Sequence, residues 1–428
     1  MAAAFSQAVL HRGVIAAVVF FLAAVDLTQL SRSAPIHVDE AFMLNRGFLA
    51  GPLYRSYWQT GVVSPKWESL VWQPRKPPLG NVIIGLGLWW GNISMPAKQY
   101  GYNWRHDYRW NVEHGVNLPP ERALRAGRSL VPFFAAAATT AVFSLAAGAG
   151  GIVGGLGAAA LFHLNPVVRT HGSRALSDMV MLSLSLWALW YLLRCVAPAW
   201  SESHVRLLRR AATFGIVTGL AAATKQNGAL VGCAGVALFV MWGAGSIAAL
   251  GLRGALTRTL LTMLVLAASA YGSFVLVNPQ LHPAPIARTL AQAEAWSNKF
   301  EEHQERRPEQ ALHTIGARVG AVSRVIDRRS FATLPVPHVS GLLALVGGIL
   351  MLAGPQGLPG WRGFPRSLLV WSVVTVCIVA AWIPLDWDRY YLPVIAVGSV
   401  LVGGNTRLAM LRRAPQRSHR STPRPASS

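Results

Sequence analysis

The sequence predicts an all-α protein that crosses a membrane repeatedly, and three observations carry that expectation. The chain is 53% hydrophobic and only 13% charged, where a soluble chain of this size carries about a quarter charged residues. The charges are poorly mixed: residues 129–157 hold none, which is tolerable only in lipid or deep in a core. The basic residues collect in short runs between apolar segments, the distribution that orients membrane proteins. The same distribution accounts for the formal net charge of +22. The excess Arg lies in loops and tail rather than in one binding stripe, so no nucleic-acid partner is expected. Cys195, Cys233 and Cys377 have no paired spacing, which indicates neither a disulfide framework nor a metal site.

A helix needs about 20 apolar residues to cross a bilayer, somewhat fewer among packed neighbours. Spans are expected near 13–30, 128–148, 151–168, 176–194, 211–224, 226–244, 258–278, 338–354, 367–384 and 390–404, about ten in all. The first follows His11 and Arg12 and reads as an uncleaved span rather than a signal peptide. Arg194, Arg206, Arg209 and Arg210 fall in one loop, Arg253 and Arg258 in a second, and Arg362 and Arg366 in a third. The tail adds Arg407, Arg412, Arg413, Arg417, Arg420 and Arg424. All share one side if both termini are cytoplasmic, and of the acids only Glu202 joins them. The expected location is the inner (cytoplasmic) membrane of a bacterium.

A single transmembrane domain is expected over residues 1–404, with outer loops at about 31–127 and 278–337. Residues 405–428, rich in Arg, Ser and Pro, read as a disordered cytoplasmic tail held near anionic headgroups. In the first outer loop, residues 79–91 (LGNVIIGLGLWWG) are too short to span and rich in interfacial Trp, and predict a helix lying on the membrane surface. The charged stretch 287–329 is expected to be a solvated cap with internal ion pairs.

The residues able to carry chemistry stand at the outer mouths of the spans. Asp39 and Glu40 follow the first span. Such a carboxylate can deprotonate an acceptor hydroxyl, or Asp39 can cap a helix with Glu40 facing its dipole. Arg174 and Asp178, four apart before the fourth span, would share a helix face and either neutralise each other or present Arg174 to a phosphate. Lys225 interrupts an apolar hairpin on the outer side, where snorkelling to headgroups and phosphate binding both fit. Asn278 and Pro279 read as a helix stop. Residues 386–393 (DWDRYYLP) place Asp388, Arg389 and Tyr390 outside the last span. A guanidinium there matches phosphate oxygens in bidentate fashion, or pairs with Asp388 within an aromatic belt.

Residues 76–87 (KPPLGNVIIGLG) resemble the HPPLGKLLIALG motif of protein O-mannosyltransferases, with Lys76 in place of His and Asn81 in place of Lys. Lipid A aminoarabinose transferases have a comparable stretch, and both families place an Asp-Glu pair after their first span, as Asp39 and Glu40 stand here. The segments around Arg174, Lys225 and Arg389 also resemble elements of these families. The resemblance implies the GT-C membrane fold and an inverting hexosyl or pentosyl transfer from a polyprenyl-phosphate sugar to an acceptor glycan, lipid or protein on the outer face. It implies Asp39 as the base, Glu40 in support, and Lys76, Arg174, Lys225 and Arg389 on the donor phosphate, with Asp178, Asp388 and Tyr390 supporting them. No cofactor beyond the lipid-linked donor is implied, and the His spacing shows no metal site, although a divalent metal stays open. The alternative is a transporter or flippase for a lipid-linked glycan, which would place ionisable residues near the bilayer midplane.

Overall fold

The computed structural model describes residues 2–61, 77–282, 284–326, 339–353 and 363–404. Lys76, Arg362, the tail from 405 and the end of the charged stretch lie outside the described residues. Within them the elements are helical, and each expected span falls on a helix. The helices are α1 (Ala2–Ser33), α2 (Glu40–Thr60), α3 (Leu79–Trp90), α4 (Tyr108–Glu113), α5 (Glu121–Arg128), α6 (Val131–Leu164), α7 (Pro166–Gly172) and α8 (Asp178–Tyr191). They continue as α9 (His204–Thr224), α10 (Leu230–Gly245), α11 (Ile247–Leu276), α12 (Pro285–Arg306), α13 (Ile315–Arg324), α14 (Val339–Ala353), α15 (Phe364–Trp382) and α16 (Leu392–Gly404).

Among the described residues, 6 helical segments are long and apolar enough to cross a membrane unaided, from Leu10–Ser33 to Phe364–Trp382. One of them, Glu121–Leu164, holds two of the expected spans. They are separated at Gly151, whose φ of 76° folds the second half of α6 back on the first. There Gly155 lies against Phe143 and Ala147, with no room for a Cβ. The outer helices show what surrounds the bundle. Only 17% of the apolar window in α1 is buried, and the same share in α11. Leu10, Val14, Val18, Phe21, Leu22 and Val25 form an exposed stripe on α1, and Leu252, Leu256, Leu260 and Leu264 one on α11. Apolar faces of that length belong in lipid, and the chain is a multi-pass membrane protein.

The bundle has two chemically different ends. Helix α1 runs antiparallel to the first half of α6, with Ala23 and Ala24 on Ala136 and Val19 near Phe143 and Ala147. Arg12, whose charge acts on Arg194, therefore marks one end. Arg210 donates to the Cys195 carbonyl at 2.7 Å there, and Arg258 to that of Glu202 at 2.8 Å. The opposite end gathers the α1–α2 junction, the starts of α3, α6 and α8, the end of α9 and the start of α16. Between the ends, Asp26 on α1 binds Arg169 at 2.6 Å and His163 at 3.0 Å, which neutralises an acid that lipid would otherwise penalise.

Helices α2 and α3 lie across this second end. The expected surface helix over 79–91 forms as α3, with Trp89 and Trp90 exposed beyond three-quarters of their surface. Its glycines are contact points: a Cβ on Gly85 would overlap the Gly47 carbonyl of α2, and one on Gly80 would overlap Ser177. The glycine spacing of residues 79–87 thus lets α3 touch α2 on one side and the start of α8 on the other.

A buried ion pair ties the layer to the bundle. The Glu40 side chain is 0% exposed and that of Arg128 3%. Two parallel bonds join them, Nε to Oε1 at 2.7 Å and Nη2 to Oε2 at 2.6 Å. Arg128 also donates to the carbonyls of Ser31 and Ala34 at the end of α1. Glu40 accepts from the backbone N–H groups of His37 and Ala175. Removing one member of such a pair strands the other charge, so Glu40→Gln should cost about 3–5 kcal/mol of stability. Thermal unfolding in detergent checks this; a melting temperature equal to wild type would show the pair to be dispensable.

Candidate active site

Below that ion pair the chain opens into a cavity of about 870 Å³ at the same end of the bundle. Asp39 enters it from the α1–α2 junction. Its backbone is not in cap geometry (φ −83°, ψ −14°) and its side chain makes no cap bond, so the expected N-cap role is not the one it plays. The carboxylate instead accepts from Arg389 Nη1 at 2.7 Å. Arg389 stands on a one-turn 3-10 segment, Asp388–Tyr391, before α16, and stacks over Trp387 at 4.4 Å. Burial disfavours its charge, but Asp39, Tyr390 and Asp178 outweigh that cost and hold its pKa above the ordinary value.

A second pair lies beside the first. Lys225 terminates α9 in extended backbone (φ −161°, ψ 136°), which turns its ammonium inward to Asp178 at the start of α8. Burial draws the Lys225 pKa down, and the Asp178 charge opposes it. His171 Nδ1 lies 3.7 Å from the other Asp178 oxygen. His37 faces His171 across 6.3 Å. Burial is the main reason its pKa falls below the usual imidazole range, which leaves the ring neutral near pH 7. The two ion pairs act on one another, since Arg389 feels both carboxylates and Lys225 feels Asp39 as well as Asp178. Asp39 thus lines the cavity with two cations acting on it, a set able to accept a proton while holding an oxyanion.

The cavity wall brings together Asp39, Asp178, Lys225, Asp388, Arg389 and Tyr390, drawn from loops that lie far apart in sequence. Glu40 is not among the lining residues; its carboxylate points the other way, into the Arg128 pair. Arg174 does not line the cavity either, and its Nε donates to the Pro35 carbonyl at 3.2 Å. The expected Arg174–Asp178 helix face does not form, because α8 begins only at Asp178. Lys76 lies outside the described residues, while its neighbour Pro77 lines the cavity.

Several lining residues were not singled out by the sequence. Arg46 stands seven positions after Asp39 on the same face of α2. The charged stretch is more than a solvated cap. It carries the expected kind of ion pair, Arg306 with Glu302 at 2.6 Å. It also puts Trp296, Phe300 and His303 on the cavity. Their i, i+4, i+7 spacing is the signal that could have found them. The stretch is fastened by Gln310, which accepts from Trp387 Nε1 at 2.6 Å and from the Asp386 N–H at 2.9 Å. Among the described residues no group of three or more His, Cys, Asp and Glu is arranged to hold a metal ion.

A helical multi-pass membrane protein with a charged cavity at one end of its bundle is the class these features define. No protein-family model matches the sequence, and no curated protein does. Solved structures show similarity at low identity. ArnT from Cupriavidus metallidurans bound to undecaprenyl phosphate is 16% identical, over 92% of this chain and 59% of that one, with a TM-score of 0.46. The archaeal oligosaccharyltransferase AglB from Archaeoglobus fulgidus, in complex with an inhibitory peptide and a dolichol-phosphate, is 12% identical over 90% of this chain, with a TM-score of 0.48. The chain spans 59% of the length of ArnT and 50% of that of AglB.

Asp178 exists in this site as the partner of a buried ammonium, so Asp178→Ala should destabilise the fold by about 3–5 kcal/mol. Asp388→Ala, at the cavity rim, should change stability far less. Equal melting temperatures for the two variants would contradict the assignment.

Proposed function

We propose that the chain is a glycosyltransferase that moves a sugar from a polyprenyl-phosphate carrier to an acceptor hydroxyl. The observation that carries this reading is the open carboxylate of Asp39 held against Arg389, with Lys225 beside it, in a cavity at the membrane end of the bundle. In the reaction Asp39 takes the acceptor hydroxyl proton as the oxygen attacks the anomeric carbon. The bond from that carbon to the phosphate oxygen breaks, and its electron pair leaves on the lipid phosphate. Arg389 and Lys225 receive that growing charge, which preorganised cations stabilise most where water is scarce. Glu40 acts by fixing the junction that carries Asp39.

A lipid-linked donor suits the position of the cavity, because a phosphate at the membrane surface meets these cations while its polyprenyl tail stays in lipid. The distribution of basic residues supports an outward-facing site with the Arg12 end of the bundle cytoplasmic. The site's cations and acids gather at the opposite end of the bundle rather than at the middle of the spans, Asp26 and its partners apart, which favours the enzyme over a flippase. Lipid-linked hexoses and pentoses both fit as donors, and the reaction as written requires no cofactor.

The test is sugar transfer by the purified full-length protein in lipid nanodiscs, with a polyprenyl-phosphate hexose or pentose and envelope extract as acceptor. Asp39→Asn should lower turnover at least about 100-fold with the melting temperature preserved. Turnover close to wild type would remove Asp39 as the base.

A further inference from the structure

Arg389 and Lys225 are each held by a carboxylate of the cavity, and Arg46 differs from them. Arg46 is 7% exposed, lines the cavity from α2, and stacks on Phe42 at 3.8 Å. Its Nη1 is fully buried and makes no hydrogen bond among the described residues. A buried guanidinium N–H without an acceptor is costly. Stacking on Phe42 uses the ring face and leaves the in-plane N–H groups unsatisfied.

The surroundings of Arg46 say which side of the reaction it serves. Arg389 and Lys225 act on one another and share Asp39 and Asp178. Among the described residues, the charged group that acts on Arg46 is Asp39, seven positions before it in the chain. Asp39 therefore bears on two cation centres, one at Arg389 and Lys225 and one at Arg46. In a displacement the leaving phosphate and the attacking hydroxyl lie on opposite sides of the anomeric carbon. With Arg389 and Lys225 on the phosphate, Arg46, which lines the same cavity with an unpartnered Nη1, remains for the acceptor.

We propose that Arg46 forms a second oxyanion subsite, separate from the donor phosphate site, which binds a phosphate or carboxylate carried by the acceptor close to its attacking hydroxyl. The fork of guanidinium donors matches either group, and the low exposure of the site strengthens the bond. This deepens the transferase reading and rests on it for the identity of the two sides, but not for the existence of the subsite.

The experiment uses the full-length protein in phosphatidylcholine nanodiscs and isothermal titration calorimetry. Farnesyl phosphate probes the donor side. Inorganic phosphate and acetate, titrated separately with farnesyl phosphate saturating, probe the second subsite. The wild type should bind phosphate or acetate under these conditions. Arg46→Gln should weaken that binding about tenfold or more and leave farnesyl phosphate binding unchanged, while Arg389→Ala should do the reverse. Arg46→Lys keeps the charge and should retain part of the anion binding, which separates loss of the ligand from loss of the fold. Anion binding unaffected by Arg46→Gln, or no anion binding by the wild type, overturns the subsite. Loss of farnesyl phosphate binding in Arg46→Gln, at an unchanged melting temperature, places Arg46 in the donor site and overturns it too. If the wild type fails to bind farnesyl phosphate but binds the anion through Arg46, the subsite stands and the donor assignment falls.

Discussion

The whole site hangs on the buried pair between Glu40 and Arg128. Four stretches of chain that approach from different directions meet at it: the last carbonyls of α1, the His37 turn, the joint between α5 and α6, and the backbone before α8. An ion pair with so little exposure is retained only when its remaining donors and acceptors are satisfied. Here the carbonyls at the end of α1 and the N–H groups of His37 and Ala175 supply the partners. The consequence for function is positional. With Glu40 drawn into the fold, its neighbour Asp39 is turned toward the cavity, and two adjacent carboxylates acquire opposite duties.

The cavity is held together by exchanges of charge that a substrate would alter. In the resting protein Arg389 is on Asp39 and Lys225 on Asp178. In the proposed reaction a lipid phosphate between the two cations would compete with both carboxylates, and in drawing Arg389 away it would free Asp39 to accept a proton. The Asp178 carboxylate, nearly fully buried and shared between Lys225 and His171, has less freedom to leave its partner. It keeps the ammonium charged in a place where burial alone would favour losing the proton.

The fold was legible in the sequence because lipid imposes a simple rule on length and polarity. Uncharged runs marked the spans, and scattered Arg marked one end of the bundle. The glycines of residues 79–87 were legible as a motif, though their reason, contact with Gly47 and Ser177, appears only in three dimensions. Asp39, Lys225 and Arg389 stand out in the sequence because each is a charge at the mouth of an apolar helix, and all three line the cavity. The site was illegible where direction depends on a distant partner. Glu40 turns inward because of Arg128, 88 positions away. Asp178 takes Lys225 rather than Arg174 because the backbone between 174 and 178 is not helical. The cavity face of α12 was hidden because its aromatic residues are interleaved with charges, some of which, Lys299 and Arg306, line the cavity as well.

The central claim is that Asp39 acts as a base in a single displacement, with no covalent sugar on the protein. Asp39 lines the cavity in a partly exposed pair with Arg389, while Glu40 is buried against Arg128 and Asp178 is nearly fully buried against Lys225. The most direct measurement is the anomeric configuration of the transferred sugar, read from the proton coupling at its anomeric carbon by nuclear magnetic resonance. The account predicts inversion relative to the polyprenyl-phosphate donor. Retention would require a nucleophile that attacks the sugar first, and would contradict it.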